Sequence, residues 1–209
     1  MVIFRGLRAV RAGSPAIRHM RLATLLLAAC ATLATASVAV AQRPATARRL
    51  STTIGVSKGA GALTCPFCSG EGKGGLAGVV GVELPFRTGL RFGLEGEWWL
   101  HSGGGSTRSV LAAVPVVHFY PAASGPLFFK LGLGVARFSA SSDEEELRST
   151  SLSGLVGVGY EFRLSSRSAL IPYVSWLNGN RGTMRLNGAL VTDLGGVSLL
   201  QYGLALSKR

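Results

Sequence analysis

From residue 50 onward, apolar side chains recur at every second position. In "LFFKLGLGVARFS", Leu127, Phe129, Leu131, Leu133 and Val135 are apolar, while Lys130, Gly132, Gly134 and Ala136 between them are small or charged. "LRFGLEGEWWL" repeats the pattern, with Leu90, Phe92, Leu94, Trp98 and Leu100 set against Arg91, Gly93, Glu95, Glu97 and Trp99. So does "LSGLVGVGYEFR", where Leu152, Val156, Val158, Tyr160 and Phe162 alternate with Ser153, Gly157, Gly159, Glu161 and Arg163. Only a strand sends successive side chains to opposite faces, so these segments are expected to be β-strands.

Eight such segments can be counted, at about 50–60, 74–86, 89–101, 108–120, 126–139, 148–163, 168–177 and 195–207. Most exceed the roughly 5–6 residues usual for strands of soluble proteins and reach the roughly 9–11 that a tilted strand needs to cross a bilayer. The connections alternate as well. Short turns ("PFRTG", "PAASG", "LSSRS") follow the second, fourth and sixth segments, and longer polar links follow the others. An even strand number with short turns on one rim and long loops on the other is the pattern of an outer-membrane barrel.

Alternation alone leaves open which face is turned inward, because a soluble lipocalin-like barrel would bury the apolar rows. The charges of the opposite rows, with glycines between them, favour apolar side chains outward and a polar interior. Aromatic residues near the ends of the apolar rows (Phe86, Trp98, Tyr160, Phe162, Trp176, Tyr202) fit an interfacial girdle, and 29 glycines suit a narrow barrel with little inward space. The expected fold is all-β, an eight-stranded antiparallel up-and-down transmembrane barrel over residues 50–209, preceded by a helical signal peptide.

The run of eight strands, opening with "TIGVSKGAGALTCPFCSGEGKGGLAGVVGVELPFRTGLRFGLEGEWW", resembles the small outer-membrane β-barrel proteins of Gram-negative bacteria, broadly the OmpA/OmpX-like or OmpW-like group. The resemblance covers residues 50 to 209 and implies a structural, adhesive or small-solute-handling role. It also implies the barrel insertion machinery as a partner. Such barrels commonly finish on an aromatic residue; this sequence ends "QYGLALSKR", with Tyr202, Leu204 and Leu206 keeping the alternation.

The leader supports export. Residues 1–41 hold five arginines, no acidic residue, and an apolar run ending "AVA" before Gln42, as a secretory signal requires. Met20 offers a second start for a compact signal, and "LAAC" at 27–30 carries the order of a lipoprotein site at Cys30. Cleavage after Ala41 is the expectation, with 42–49 as a short linker. The remaining 209 − 41 = 168 residues carry 22 − 5 = 17 Lys plus Arg against 10 Asp plus Glu. The excess falls from +12 to +7, and no basic run interleaved with aromatics points to nucleic acid.

Candidate chemistry is sparse. Cys65 and Cys68 would lie in the first external loop, in a disulfide-permissive compartment. One C-x-x-C supplies half a zinc site and lacks the βαβ setting of a redox motif, so a short disulfide staple is expected, with no metal and no cofactor. Arg91, Glu95, Glu97, Lys130, Glu161 and Arg163 would share the inward face and neutralise one another, since charges withdrawn from water need partners. That favours a polar plug over an open pore in an interior only as wide as its side chains.

Asp143, Glu144, Glu145 and Glu146 fall in the third external loop and read as a solvated tip, while Arg181 and Arg185 of the fourth suit phosphates of lipopolysaccharide. His101–Ser102 is the one pairing suggestive of a nucleophile and base, and strand alternation sends the two to opposite faces. The expectation is a monomeric, non-enzymatic barrel with a structural or surface-interaction role. A narrow channel for small solutes and a soluble lipocalin-like binder are the alternatives.

Overall fold

A computed structural model describes residues 50–65, 72–142 and 145–209. Eight long strands are present: β1 (Ser51–Thr64), β2 (Lys73–Arg87), β3 (Leu90–Gly103), β4 (Ser106–Phe119), β5 (Leu127–Ser141), β6 (Glu146–Tyr160), β7 (Ser168–Leu186) and β8 (Gly196–Lys208). Two short pieces, Phe162–Arg163 and Ala189–Thr192, pair with β7. Each long strand runs antiparallel to its neighbours in sequence, and β1 pairs with β8 from Thr52↔Lys208 to Thr64↔Gly196. The sheet therefore closes as an up-and-down barrel and leaves no long edge unpaired.

Closure resolves which face is inside. The rows of Ile54 and Val56 on β1 and of Leu131, Leu133 and Val135 on β5 point outward, Leu133 being 71% exposed. Between them Ser57, Lys130 and Ala136 are buried. The soluble lipocalin-like arrangement, which needs apolar rows inside, does not describe this barrel.

The interior differs from the expected small-and-charged filling, because its two halves differ. Toward the end where β1 starts and β8 finishes (the proximal end), the inward rows carry Glu83, Glu95, His118 and Lys130, and Glu161 is buried in the connection after β6. Toward the other (distal) end they carry an apolar cluster that includes Trp99, Val110, Phe138, Leu155, Leu177 and Leu199, each at most 3% exposed. Glycines make room for rings in both halves, Trp99 in the distal cluster and Phe128 in a smaller proximal one with Tyr120, Ile171 and Tyr173. A Cβ at Gly61 would stand 2.6 Å from the Trp99 ring, and one at Gly159 would stand 2.4 Å from Phe128, closer than packed carbon atoms can approach.

The distal connections also depart from expectation. The link after β3 is a two-residue turn, Gly104–Gly105, with φ of +62° and +74°, the left-handed pair required by the tight turn that matches strand twist. The segment read as the fourth long loop is mostly strand: β7 continues to Leu186, turns at Asn187–Gly188 (φ +47° and +83°), and returns through Ala189–Thr192. Among the described residues of this rim, length is thus spent on strand extension more than on irregular loop. Within the wall, Pro115 has no N–H to donate, and the β4–β5 ladder is interrupted between Ala113↔Val135 and Val116↔Gly132.

Candidate functional site: the interior charge chain and the outer wall

Glu95 and Glu97 are two apart on β3, so strand alternation puts both inside, one turn of the pleat from each other. From β5, Lys130 places its Nζ 2.6 Å from Oε2 of Glu95 and 3.5 Å from Oε1 of Glu97. Ser175 of β7 donates to the same Glu97 oxygen at 3.3 Å. On the proximal side of this group, His118 of β4 places Nε2 3.0 Å from Glu95 Oε1 and Nδ1 3.4 Å from Glu83 Oε1. Its ring stacks on Phe128, with centroids 4.9 Å apart.

The chain of contacts ends at the proximal rim. Arg91 donates to Glu161 at 2.7 Å and approaches Glu83 at 3.6 Å, Tyr120 donates its hydroxyl to Glu161 at 2.7 Å, and Arg209 forms an ion pair with Glu161. Arg91 also stacks over the Tyr120 ring at 4.3 Å. Glu161 lies in the connection after β6, outside the crossing strands. Burial alone would raise its pKa, but Arg91, Arg209 and the Tyr120 hydroxyl outweigh that and hold it below the ordinary carboxylate value.

Five of the six charges expected inside therefore meet in one contact chain: Arg91, Glu95, Glu97, Lys130 and Glu161. Arg163 does not join them. It is exposed on the short Phe162–Arg163 strand, with a guanidinium 3.5 Å from the Ser124 carbonyl. Glu83, His118, Tyr120 and Arg209 complete the chain and were not singled out from the sequence. Glu83 and His118 each sit on an inward row whose parity could have found them; Tyr120 and Arg209 lie in a turn and past a strand end, where parity gives no guidance. Four carboxylates (Glu83, Glu95, Glu97, Glu161) thus face three permanent cations and one imidazole.

The other sequence candidates are dispersed. His101 stacks on Trp99 and lies 2.7 Å from the Gly74 carbonyl, while Ser102 is exposed, so the two separate to opposite faces as a strand requires. Glu145 and Glu146 sit at the distal β5–β6 connection, and Asp143 and Glu144 lie outside the described residues, as do Cys68 and the leader. Arg181 and Arg185 are exposed on the extended part of β7 and not in a loop.

No family model matches this sequence, and no curated protein does. Solved structures do match in shape. Neisserial surface protein A superposes with a TM-score of 0.55 at 10% identity, over 76% of this chain and 96% of that one. Ail, the attachment invasion locus protein of Yersinia pestis, solved with the heparin analogue sucrose octasulfate, superposes with a TM-score of 0.51 at 11% identity, over 76% and 98%. This chain has the fold of the small outer-membrane β-barrels. At such low identity the likeness concerns the fold, and it agrees with an outer wall built of exposed aliphatic rows around a closed sheet.

Proposed function

We propose that the protein is an outer-membrane barrel with a structural or surface-interaction role, and that its lumen is plugged. The observation that carries this reading is the division of the interior. An ion-paired proximal half leads into a distal half filled by Trp99, Phe138, Leu155, Leu177 and Leu199, with only the small Ser149, Ser151 and Ser153 buried on the same inward row of β6 as Leu155. A hydrated ion entering from the charged half would meet this packed layer, where a few serine hydroxyls, two of them bonded to each other, do not replace a hydration shell, so shedding its water there is costly. The narrow-channel alternative needs a continuous polar path, and a non-catalytic role fits a set of charges engaged with one another.

In this reading the proximal end faces the periplasm and the distal turns face outward, with residues 1–41 serving as a cleaved export signal and the folded chain a monomer inserted by the barrel assembly machinery. Cys65 and Cys68 pair as a staple of the first external loop, Asp143 to Glu146 form a solvated tip, and Arg181 and Arg185 approach lipopolysaccharide.

The test is heat-modifiable gel migration of protein refolded in detergent, followed by planar-bilayer recording. A band shift that requires detergent, with no steady conductance, is the expected result. A soluble monodisperse fold without detergent would overturn the membrane reading, and discrete conductance steps would overturn the plug.

A further inference from the structure

Four arginines gather on one side of the outer wall, just distal to the apolar belt. Arg137 of β5, Arg148 of β6 and Arg181 and Arg185 of β7 are all exposed, alternating with buried Ala136, Phe138, Ser149 and Met184. The register brings them together. Arg148 and Arg185 are directly opposed across the β6–β7 ladder, Arg137 pairs with Thr150 and through it with Thr183, and Arg181 pairs with Leu152. Outward positions at the distal ends of β1 to β4, such as Ala62, Ser102, Thr107 and Ser109, are uncharged, and Lys58 in the middle of β1 is an outward cation of that side. The cluster of arginines is therefore one-sided.

Like charges directly opposed on a sheet destabilise it unless an anion lies between them. Glu146 answers Arg148 as an ion pair. Arg185 reaches only the Gly188 carbonyl, at 3.3 Å, and Arg137 and Arg181 have no hydrogen-bond or ion-pair partner among the described residues. Three guanidiniums remain for an external anion. Immediately below them the wall is aliphatic, with Leu133, Val135 and Leu152 exposed. An occupant must present phosphate beside the guanidiniums and hydrocarbon against the wall, a combination found in a phosphorylated lipid and not in a free polyanion. The fork of a guanidinium also suits phosphate oxygens better than a point charge would.

We propose that Arg137, Arg181 and Arg185, with Arg148 beside them, bind the phosphate groups of lipopolysaccharide on the β5–β7 side of the barrel, giving the molecule a preferred lipid-bound flank. The inference rests on the membrane-barrel reading and deepens its lipid contact into a site.

The refolded protein in micelles would be titrated with bisphosphorylated lipid A and, separately, with dephosphorylated lipid A, following bound lipid by native mass spectrometry. Wild type is expected to prefer the phosphorylated form by about tenfold or more, as charge-assisted hydrogen bonds imply. The R137Q/R181Q/R185Q variant should lose that preference and keep its heat-modifiable band shift. Equal binding of the two lipids by wild type would overturn the site without reference to any variant, as would a preference unchanged in the variant. Full displacement of the lipid by sucrose octasulfate would overturn the lipid assignment in favour of a soluble polyanion. Failure of wild type to shift in detergent would instead sink the membrane reading, and the site with it.

Discussion

Lys130 reaches across the barrel interior to Glu95, with its ammonium 2.6 Å from the carboxylate and both residues about 95% buried. Lys130 also touches Glu97, so one cation holds two carboxylates from a neighbouring part of the wall. Removing it leaves Glu97 with only the Ser175 hydroxyl and Glu95 with only the His118 ring among the described residues. Lys130→Met should destabilise the barrel by about 3–5 kcal/mol, the cost of stranding a buried charge. Adding Glu95→Gln to that variant should recover part of the loss, read as the urea midpoint of the gel shift. Equal midpoints for wild type and Lys130→Met would mean that the pair contributes nothing.

At the proximal rim, Glu161 is the group whose ionisation couples to folding outside the strands. Its pKa is lowered in the folded protein, so its ionisation stabilises the fold above the unfolded-state pKa. That contribution is lost as pH falls from the ordinary carboxylate range through the depressed folded value. Glu161→Gln should lower stability at neutral pH and flatten the acid limb of a stability-against-pH curve. A parallel displacement of the whole curve would assign the acid sensitivity to other carboxylates.

The outward row of β5 offers a test of the lipid-facing wall. In a bilayer, Leu133→Arg should cost about 2–4 kcal/mol if the residue lies near the midplane and less toward an interface. In a water-exposed wall the same change would be close to neutral. Folding yield into vesicles of stated thickness, compared with Leu133→Ala, separates the two cases.

The contact between Gly159 and the Phe128 ring predicts a size-dependent defect. Gly159→Val places carbon atoms where the ring stands and should cost at least about 1–3 kcal/mol, as overpacking does. Phe128→Leu in the same chain should relieve it. If the double variant were no more stable than the single, the clash would lie with the backbone and not with the ring.

Much of the fold could be read from side-chain parity alone. Eight alternating segments appear as eight strands, and the inward positions of Arg91, Glu95, Glu97 and Lys130 follow from their places in those strands, because a strand's two-residue period is a local property of the backbone. Parity failed where the chain leaves the strand, which is why Arg163 proved exposed while Tyr120 and Arg209 entered the charge chain. Asn187–Gly188 carried a hairpin signal that composition disguised as loop. Which face turned inward, how the lumen divides into a charged half and an apolar half, and how Arg137 and Arg148 come beside Arg181 and Arg185 all depend on closure and register. Those relations join residues up to roughly 48 positions apart in the arginine patch and 156 at the β1–β8 seam. Local periodicity carries no information about such pairings, since any register of the same parity presents the same faces.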